Sequence, residues 1–594
     1  MYTSVIRTQN MKYRNHILVL LVFFMAALLV AYSCSPSSAD EDVKPNVMND
    51  GVYEGIGEGR NGMIKVAVTV SNHVITDVMV VQQSESSFAQ ETIFTLIAKI
   101  MQAQTTEGID AISGATLTSN GVIAAMTMAI NAALGVQPTI PNYEDTECDV
   151  VIVGAGGAGL SAAIEATSAG ANVIVLEKRS FVGGNTNSST GGINAAETRF
   201  QEALGIKDSR AAFYEDIMTG GHQLNDVVLA HTLADKSAET LHWLAGFGAD
   251  LTDVGNMAGS SVPRTHRPKG GLAIGPHLMK VLYDKAKDMD IDIRTSNTVT
   301  DVMRASDGSV AGVNVQCANG KSYSIRSKAV ILATGGFGAN MAMVTQYRKD
   351  LEGFSTVNHS GATGDAFAWV GKFRAELYQM DQIQTHPTVE IHKTVMITEA
   401  VRGNGAILVN RDGKRFVDEM DMRDAVSAAI LKQNGQSAFL IFDDGVRKSL
   451  ASIETYFSQG LVTEAATTED LALKIGVSSD MLGNTISAYN DFQMTGEDKE
   501  FFRPTMPLSL GKAPFYAIEV KPAIHHTMGG VHINANANVL DYDGNEIKGL
   551  FAAGEVTGGV HGGNRLGGNG VADIVVFGRI AGASAAKVRL GESK

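Results

Sequence analysis

The chain has 594 residues, 44% hydrophobic and 19% charged, with 63 glycines and a net charge of −15. So long and apolar a sequence is not a disordered chain and exceeds one ordinary core, and glycine without a triplet period excludes collagen while suiting the turns of nucleotide-binding α/β folds. The acidic balance argues against a nucleic-acid partner, and Cys34, Cys148 and Cys317 are too few and too scattered for a disulfide framework, a structural metal site or covalent haem.

At the N-terminus Arg7, Lys12, Arg14 and His16 precede an apolar run over 17–31 and then Ser33-Cys34-Ser35-Pro36. The run is shorter than the ~20 residues of a spanning helix, so the pattern predicts an export signal over 1–34. A Cys directly after such a run resembles a bacterial lipoprotein signal. That resemblance implies lipidation of Cys34 and an exported protein on the periplasmic or cell-surface side, touching the membrane only through this anchor. A retained helix and simple cleavage are the alternatives. Residues 35–48, rich in Ser, Asp and Pro, read as a solvated linker.

Residues 49–138 form a self-contained pattern: strands over 63–70 and 74–81 around Ser71-Asn72-His73, then helices near 91–102 and 120–134, a small α+β domain. Between the helices lies Asp110-Ala111-Ile112-Ser113-Gly114-Ala115-Thr116-Leu117-Thr118-Ser119. This segment resembles the flavinylation motif of FMN-binding domains in sodium-pumping quinone reductases and related exported redox proteins. The resemblance implies FMN held covalently on Thr116 through a phosphoester. Ser119 or Asn120 is expected to cap the following helix, whose unpaired N–H groups suit a phosphate. An ordinary turn before a helix is the plain alternative.

Next, the buried-strand run 148–153 leads into Gly154-Ala155-Gly156-Gly157-Ala158-Gly159, a helix over 160–169, a strand over 172–176 and Glu177. Strand, glycine loop, helix, strand and acid together are the Rossmann pattern, with glycines for the pyrophosphate and Glu177 for a ribose hydroxyl. Gly184, Asn185 and Thr186 follow; a strand over 329–332 then runs into Gly335 and Gly336, and a late Gly554-Glu555 opens a glycine-rich end. Their order resembles flavoproteins of the fumarate reductase and succinate dehydrogenase family, implying non-covalent FAD. The expected fold is α/β: a Rossmann-type FAD-binding domain in two parts, 146–379 and 516–594, around an inserted α+β capping domain, 380–515. The small FMN-binding domain precedes it.

Five blocks sharpen the resemblance: Gln384-Thr385-His386-Pro387-Thr388, Met396 to Gly403, Gly413 to Asp424, His525 to Gly530, and His561 to Asn569. Together they resemble the soluble periplasmic fumarate reductases of the flavocytochrome c type, over nearly all of 146–590. The resemblance makes Arg423 the proton donor, with Glu399 and Arg402 as a relay from solvent. It makes His386, Thr398, His525 and Arg565 the carboxylate-binding set, with Met257 and Met396 pressing on a small dicarboxylate. The departure is upstream, where an FMN domain replaces the haem domain. A quinol-linked or other membrane donor is the expected electron source.

The chemistry suits these residues. A carbon–carbon double bond takes hydride only if an attached carboxylate can absorb charge, so cationic donors must sit there. Arginine alone is a poor acid, which is why a relay is needed; His525 is the alternative donor. A reductase of another alkenoic acid (urocanate, methacrylate or an aryl acrylate) and a non-catalytic flavin electron shuttle stay open beside fumarate.

Overall fold

A computed structural model describes residues 47–588 apart from 61–62, 84, 86, 113–114 and 137–142. The export signal, Cys34 and most of the linker lie outside the described residues. Alternating apolar residues in Met63–Ser71 and a shared register with Gly51–Glu58 and Val74–Gln82 make a three-stranded antiparallel sheet. Helices Ser87–Ala103 and Thr116–Ala133 cover one face, and Ile64, Val66, Val68, Leu96, Val122 and Met126 form the core. The first strand was not expected. Its sequence, Gly-Val-Tyr-Glu-Gly-Ile-Gly-Glu, breaks apolar alternation with glycine. Those glycines admit the second helix: a Cβ on Gly55 would lie 1.9 Å from the Ala125 carbonyl oxygen, and one on Gly57 1.9 Å from that of Gly121.

That helix begins at Thr116, four residues earlier than the sequence reading, and Ala115 stands at its N-cap without a side-chain cap bond. The expected caps are corrected. Ser119 turns away because its Oγ accepts from the Ile112 N–H at 3.0 Å.

The largest core belongs to the dinucleotide fold. A six-stranded sheet runs in the order Asp292–Arg294, Val173–Leu176, Val150–Val153, Ala329–Leu332, Glu546–Ala552, Asn538–Leu540, parallel except for its last strand. The three central strands are wholly buried four-residue apolar runs, as strands covered on both faces must be. Helices Gly157–Ser168 and Asn569–Ala585 pack together against it, so the two ends of the FAD-binding sequence meet.

A second core gathers residues between Ile397 and Val520 around a sheet ordered Ile383–Glu390, Phe515–Thr527, Ala438–Asp443, Ile407–Val409. The thirteen-residue strand Phe515–Thr527 starts in this core and ends at the dinucleotide fold, across the expected 515/516 division. Its far end and its partner Ile383–Glu390 carry His525 and His386 to one place.

Candidate active site

A cavity of about 1440 Å³ lies where all three units meet, and its wall includes Met257, His386, Met396, Thr398, Glu399, Arg423, His525 and Arg565. Thr116, Thr118 and Arg60 of the small domain line the same cavity. The structure thus gathers every sequence-predicted catalytic and substrate-binding residue except Arg402, which sits directly behind Glu399.

Arg423 opens the helix Arg423–Leu431, and its guanidinium is held from two sides. Nε donates to Glu399 Oε2 at 2.9 Å and one terminal nitrogen to Gln384 Oε1 at 3.1 Å. Gln384 in turn donates to the Arg565 carbonyl at 2.8 Å, tying the two cationic loops together. Sequence reasoning quoted Gln384 in a motif but gave it no role. Glu399 immediately precedes the short helix Ala400–Gly403 and its carboxylate accepts from the Ala258 N–H at 2.6 Å, which fixes the loop carrying Met257. Arg402, one helical turn on, brings a terminal nitrogen to 3.8 Å from Glu399 Oε2. Arg402 has no exposed surface, so the expected opening to solvent does not lie at this residue. Instead it donates to the Glu419 carbonyl beside a buried network in which Arg415 and Arg503 pair with the Glu419 carboxylate.

Burial shapes the charges. It pushes the Glu399 carboxyl up, but Arg423 and Arg402 outweigh it and hold the group below the usual carboxylate range. Burial pushes Arg402 down to about 10 and Arg565, also beside Arg423, down to about 9. Burial and the neighbouring arginines hold His386 and His525 well below the usual imidazole range, so both are neutral.

A neutral imidazole has one donor and one acceptor, and the contacts decide which is which. His525 Nε2 lies 2.9 Å from an Arg565 terminal nitrogen, which can only donate, so the proton sits on Nδ1. His386 Nδ1 accepts from the Thr388 N–H at 3.3 Å, so its proton sits on Nε2. Neutral His525 thus accepts from the guanidinium at Nε2 and keeps Nδ1–H as a donor. Among the described residues, His525 Nδ1 and Arg565 Nε have no protein partner although both are buried. Buried polar atoms left so are costly unless a ligand pairs them. These unpaired donors, with the Arg423 and Arg565 guanidinium groups on the same wall, suit a ligand that carries carboxylates.

A narrower groove joins this cavity and is lined by Gly154, Gly156, Gly157, Glu177, Gly184, Asn185, Thr186, Gly335 and Glu555. Gly156 begins the helix Gly157–Ser168 with no side-chain cap, leaving N–H groups for an anion. At Gly154, with φ +109°, a Cβ would stand 2.3 Å from the Ala333 carbonyl. These residues fit a dinucleotide. Gly159 and Gly336 lie behind the groove, where they let Gly154 and Thr527 approach. Glu177 accepts from the Ala155 and Arg179 N–H groups, an orientation at the end of its strand that leaves it facing the groove.

Comparison with known proteins agrees with this layout. An FAD binding domain matches residues 149–571 and an FMN-binding domain residues 59–131. The chain is 48% identical over 439 residues to a fumarate reductase (cytochrome) of Shewanella frigidimarina, covering 74% of this chain and 77% of that one. It is 39% identical to an NADH:fumarate oxidoreductase of Klebsiella pneumoniae over 93% of this chain, which spans 59% of that longer protein. The open conformation of a flavocytochrome c3 fumarate reductase matches with a TM-score of 0.64 at 45% identity, over 75% of this chain and 79% of that one. Fold, site and sequence kinship agree: the chain belongs to the FAD-dependent fumarate reductase family and carries an FMN-binding domain ahead of its FAD-binding domain.

Proposed function

We propose that the protein reduces fumarate to succinate, with FAD in the narrow groove and FMN covalently attached to Thr116. The observation that carries this reading is the donor set itself: His386 Nε2–H, His525 Nδ1–H, the Thr398 hydroxyl and the Arg565 guanidinium converge on one cavity beside Arg423. FAD held in the groove would, once reduced, supply the hydride for one alkene carbon. Arg565 and the two neutral histidines hold the carboxylates and stabilise the charge that grows on one of them. Met257 and Met396 flank the diacid.

Arg423 gives a proton to the other alkene carbon. Glu399, kept ionised by its two arginines, takes a proton from Arg402 and passes it to Arg423, and Arg402 regains one that comes from solvent, so neither arginine stays neutral. Arg402 suits that duty because desolvation has already pushed it down to about 10.

Thr116 supports covalent attachment because it is exposed to the shared cavity at the first residue of an uncapped helix. The sequence before residue 47 supports export and tethering through Cys34, with electrons arriving from a quinol-linked or other membrane donor. The test is to reduce the purified flavins with dithionite and add acids in turn. Rapid reoxidation by fumarate, with none by urocanate, methacrylate or aryl acrylates, is expected. Reoxidation by one of the monoacids alone moves the assignment to that substrate, and none by any acid makes the protein an electron shuttle.

A further inference from the structure

Among the described residues, the FMN-binding domain meets the FAD-binding domain at a nearly buried ion pair just past Glu177. Arg179 Nε lies 2.5 Å from Glu58 Oε1, and the Ser180 N–H donates to Glu58 Oε2 at 2.9 Å. A terminal nitrogen of Arg179 also donates to the Gly59 carbonyl at 2.7 Å. The Arg179 side chain is only 3% exposed and that of Glu58 20%, unlike the surface pairs elsewhere in the chain. All three guanidinium nitrogens of Arg179 are engaged, by Glu58, the Gly59 carbonyl and His359, and such charge-assisted contacts fix geometry as well as adding energy.

Both ends of the pair lead to a cofactor region. On one side, a Cβ on Gly121 would meet the Glu58 carbonyl at 2.8 Å, so the strand end bearing Glu58 lies on the helix that starts at Thr116. On the other, the Arg179 N–H donates to Glu177 at 2.9 Å and its guanidinium to His359 Nδ1 at 3.0 Å. The His359 N–H donates to Asn185 at 3.0 Å, and Glu177, His359 and Asn185 all line the dinucleotide groove. An unbroken set of backbone and ionic contacts thus runs from the Thr116 helix to the groove.

We propose that Glu58 and Arg179 form a latch that docks the FMN-binding domain on the FAD-binding domain, so that Thr116 faces the shared cavity only while the pair is made. Its link to electron delivery rests on the function proposed above; the docking itself does not.

The experiment uses the full chain with Glu58→Lys, which sets like charge against Arg179, and Glu58→Gln as the milder variant. Hydrogen exchange is read at residues 178–182 and at the helix core 122–133. Glu58→Lys is expected to speed exchange at 178–182 by about tenfold or more while 122–133 stays protected. If 122–133 also loses protection, Glu58→Gln decides, with the same expectation at smaller size. In dithionite-reduced enzyme mixed with fumarate, the reoxidation of FAD should keep its rate and that of FMN should slow by about tenfold or more, as misplaced reacting groups do. Unchanged exchange at 178–182 in both variants overturns the latch, whatever the flavins do. Absence of an FMN adduct or of any reoxidation by fumarate overturns the functional reading instead, and the exchange result still judges the docking.

Discussion

Arg423 donates from Nε to Oε2 of Glu399 at 2.9 Å, with side-chain exposures of 9% and 2%. The same carboxylate faces Arg402, so a buried anion stands between two cations, one on the cavity wall and one behind it.

Removing either end of that contact stops turnover before it disturbs cofactor binding. Arg423→Ala should lower kcat by roughly 10³-fold or more and Glu399→Gln by roughly 10²-fold, within the range of lost acid catalysis. Both variants should keep the flavin absorbance of the parent. Steady-state rates with reduced viologen and fumarate check this; residual activity near that of the parent in Arg423→Ala removes it as proton donor.

Arg565 gives a pH dependence of definite sign. Burial, with Arg423 beside it, pushes its guanidinium down to about 9, so the group is charged below that pH and loses its charge above it. The value of kcat/KM, which reports groups of the free enzyme, should fall as pH rises through about 9. In Arg565→Gln that limb should vanish, leaving a low and flatter profile. A limb unchanged in the variant assigns the titration to another group.

The network behind the site carries stability. Glu419, with no exposed surface, receives Arg415 Nε at 2.8 Å and an Arg503 terminal nitrogen at 3.1 Å. Glu419→Gln takes the carboxylate from the buried Arg503 and leaves Arg415 with Asp498 alone, and should destabilise the capping core by about 3–5 kcal/mol. Urea unfolding followed by intrinsic fluorescence measures it. A shift below about 1 kcal/mol, the worth of a surface pair, contradicts the assigned role.

Covalent FMN is tested separately. Thr116→Ala should lose the flavin fluorescence that survives denaturing electrophoresis, while FAD remains extractable from the protein. Retained fluorescence places the attachment elsewhere.

Much of this was legible in sequence because its signals are local. The runs at 150–153 and 329–332 are apolar over their whole length, and the glycines that follow read directly as a phosphate-binding turn. The unread parts depend on distant partners. Gly55 and Gly57 look like strand breakers until the helix they admit is in place. Glu58 and Arg179 are 121 residues apart, with nothing in either neighbourhood to mark a pair. Ser119 looks like a helix cap and serves the Ile112 N–H, a loop contact that cap patterns do not encode. Arg402 matches the relay pattern, yet its complete burial follows from the packing of the capping core around Arg503 and Glu419.

The central claim is that one cavity grips both ends of a small unsaturated diacid beside a proton-giving arginine. A crystal structure of the FAD-loaded protein with succinate tests it most directly. The account predicts Arg565, His386 and His525 within hydrogen-bonding reach, ~3 Å, of the two carboxylates, and an Arg423 nitrogen in van der Waals contact with a central carbon. A diacid bound elsewhere, or one bound with Arg423 turned away from its central carbons, contradicts it.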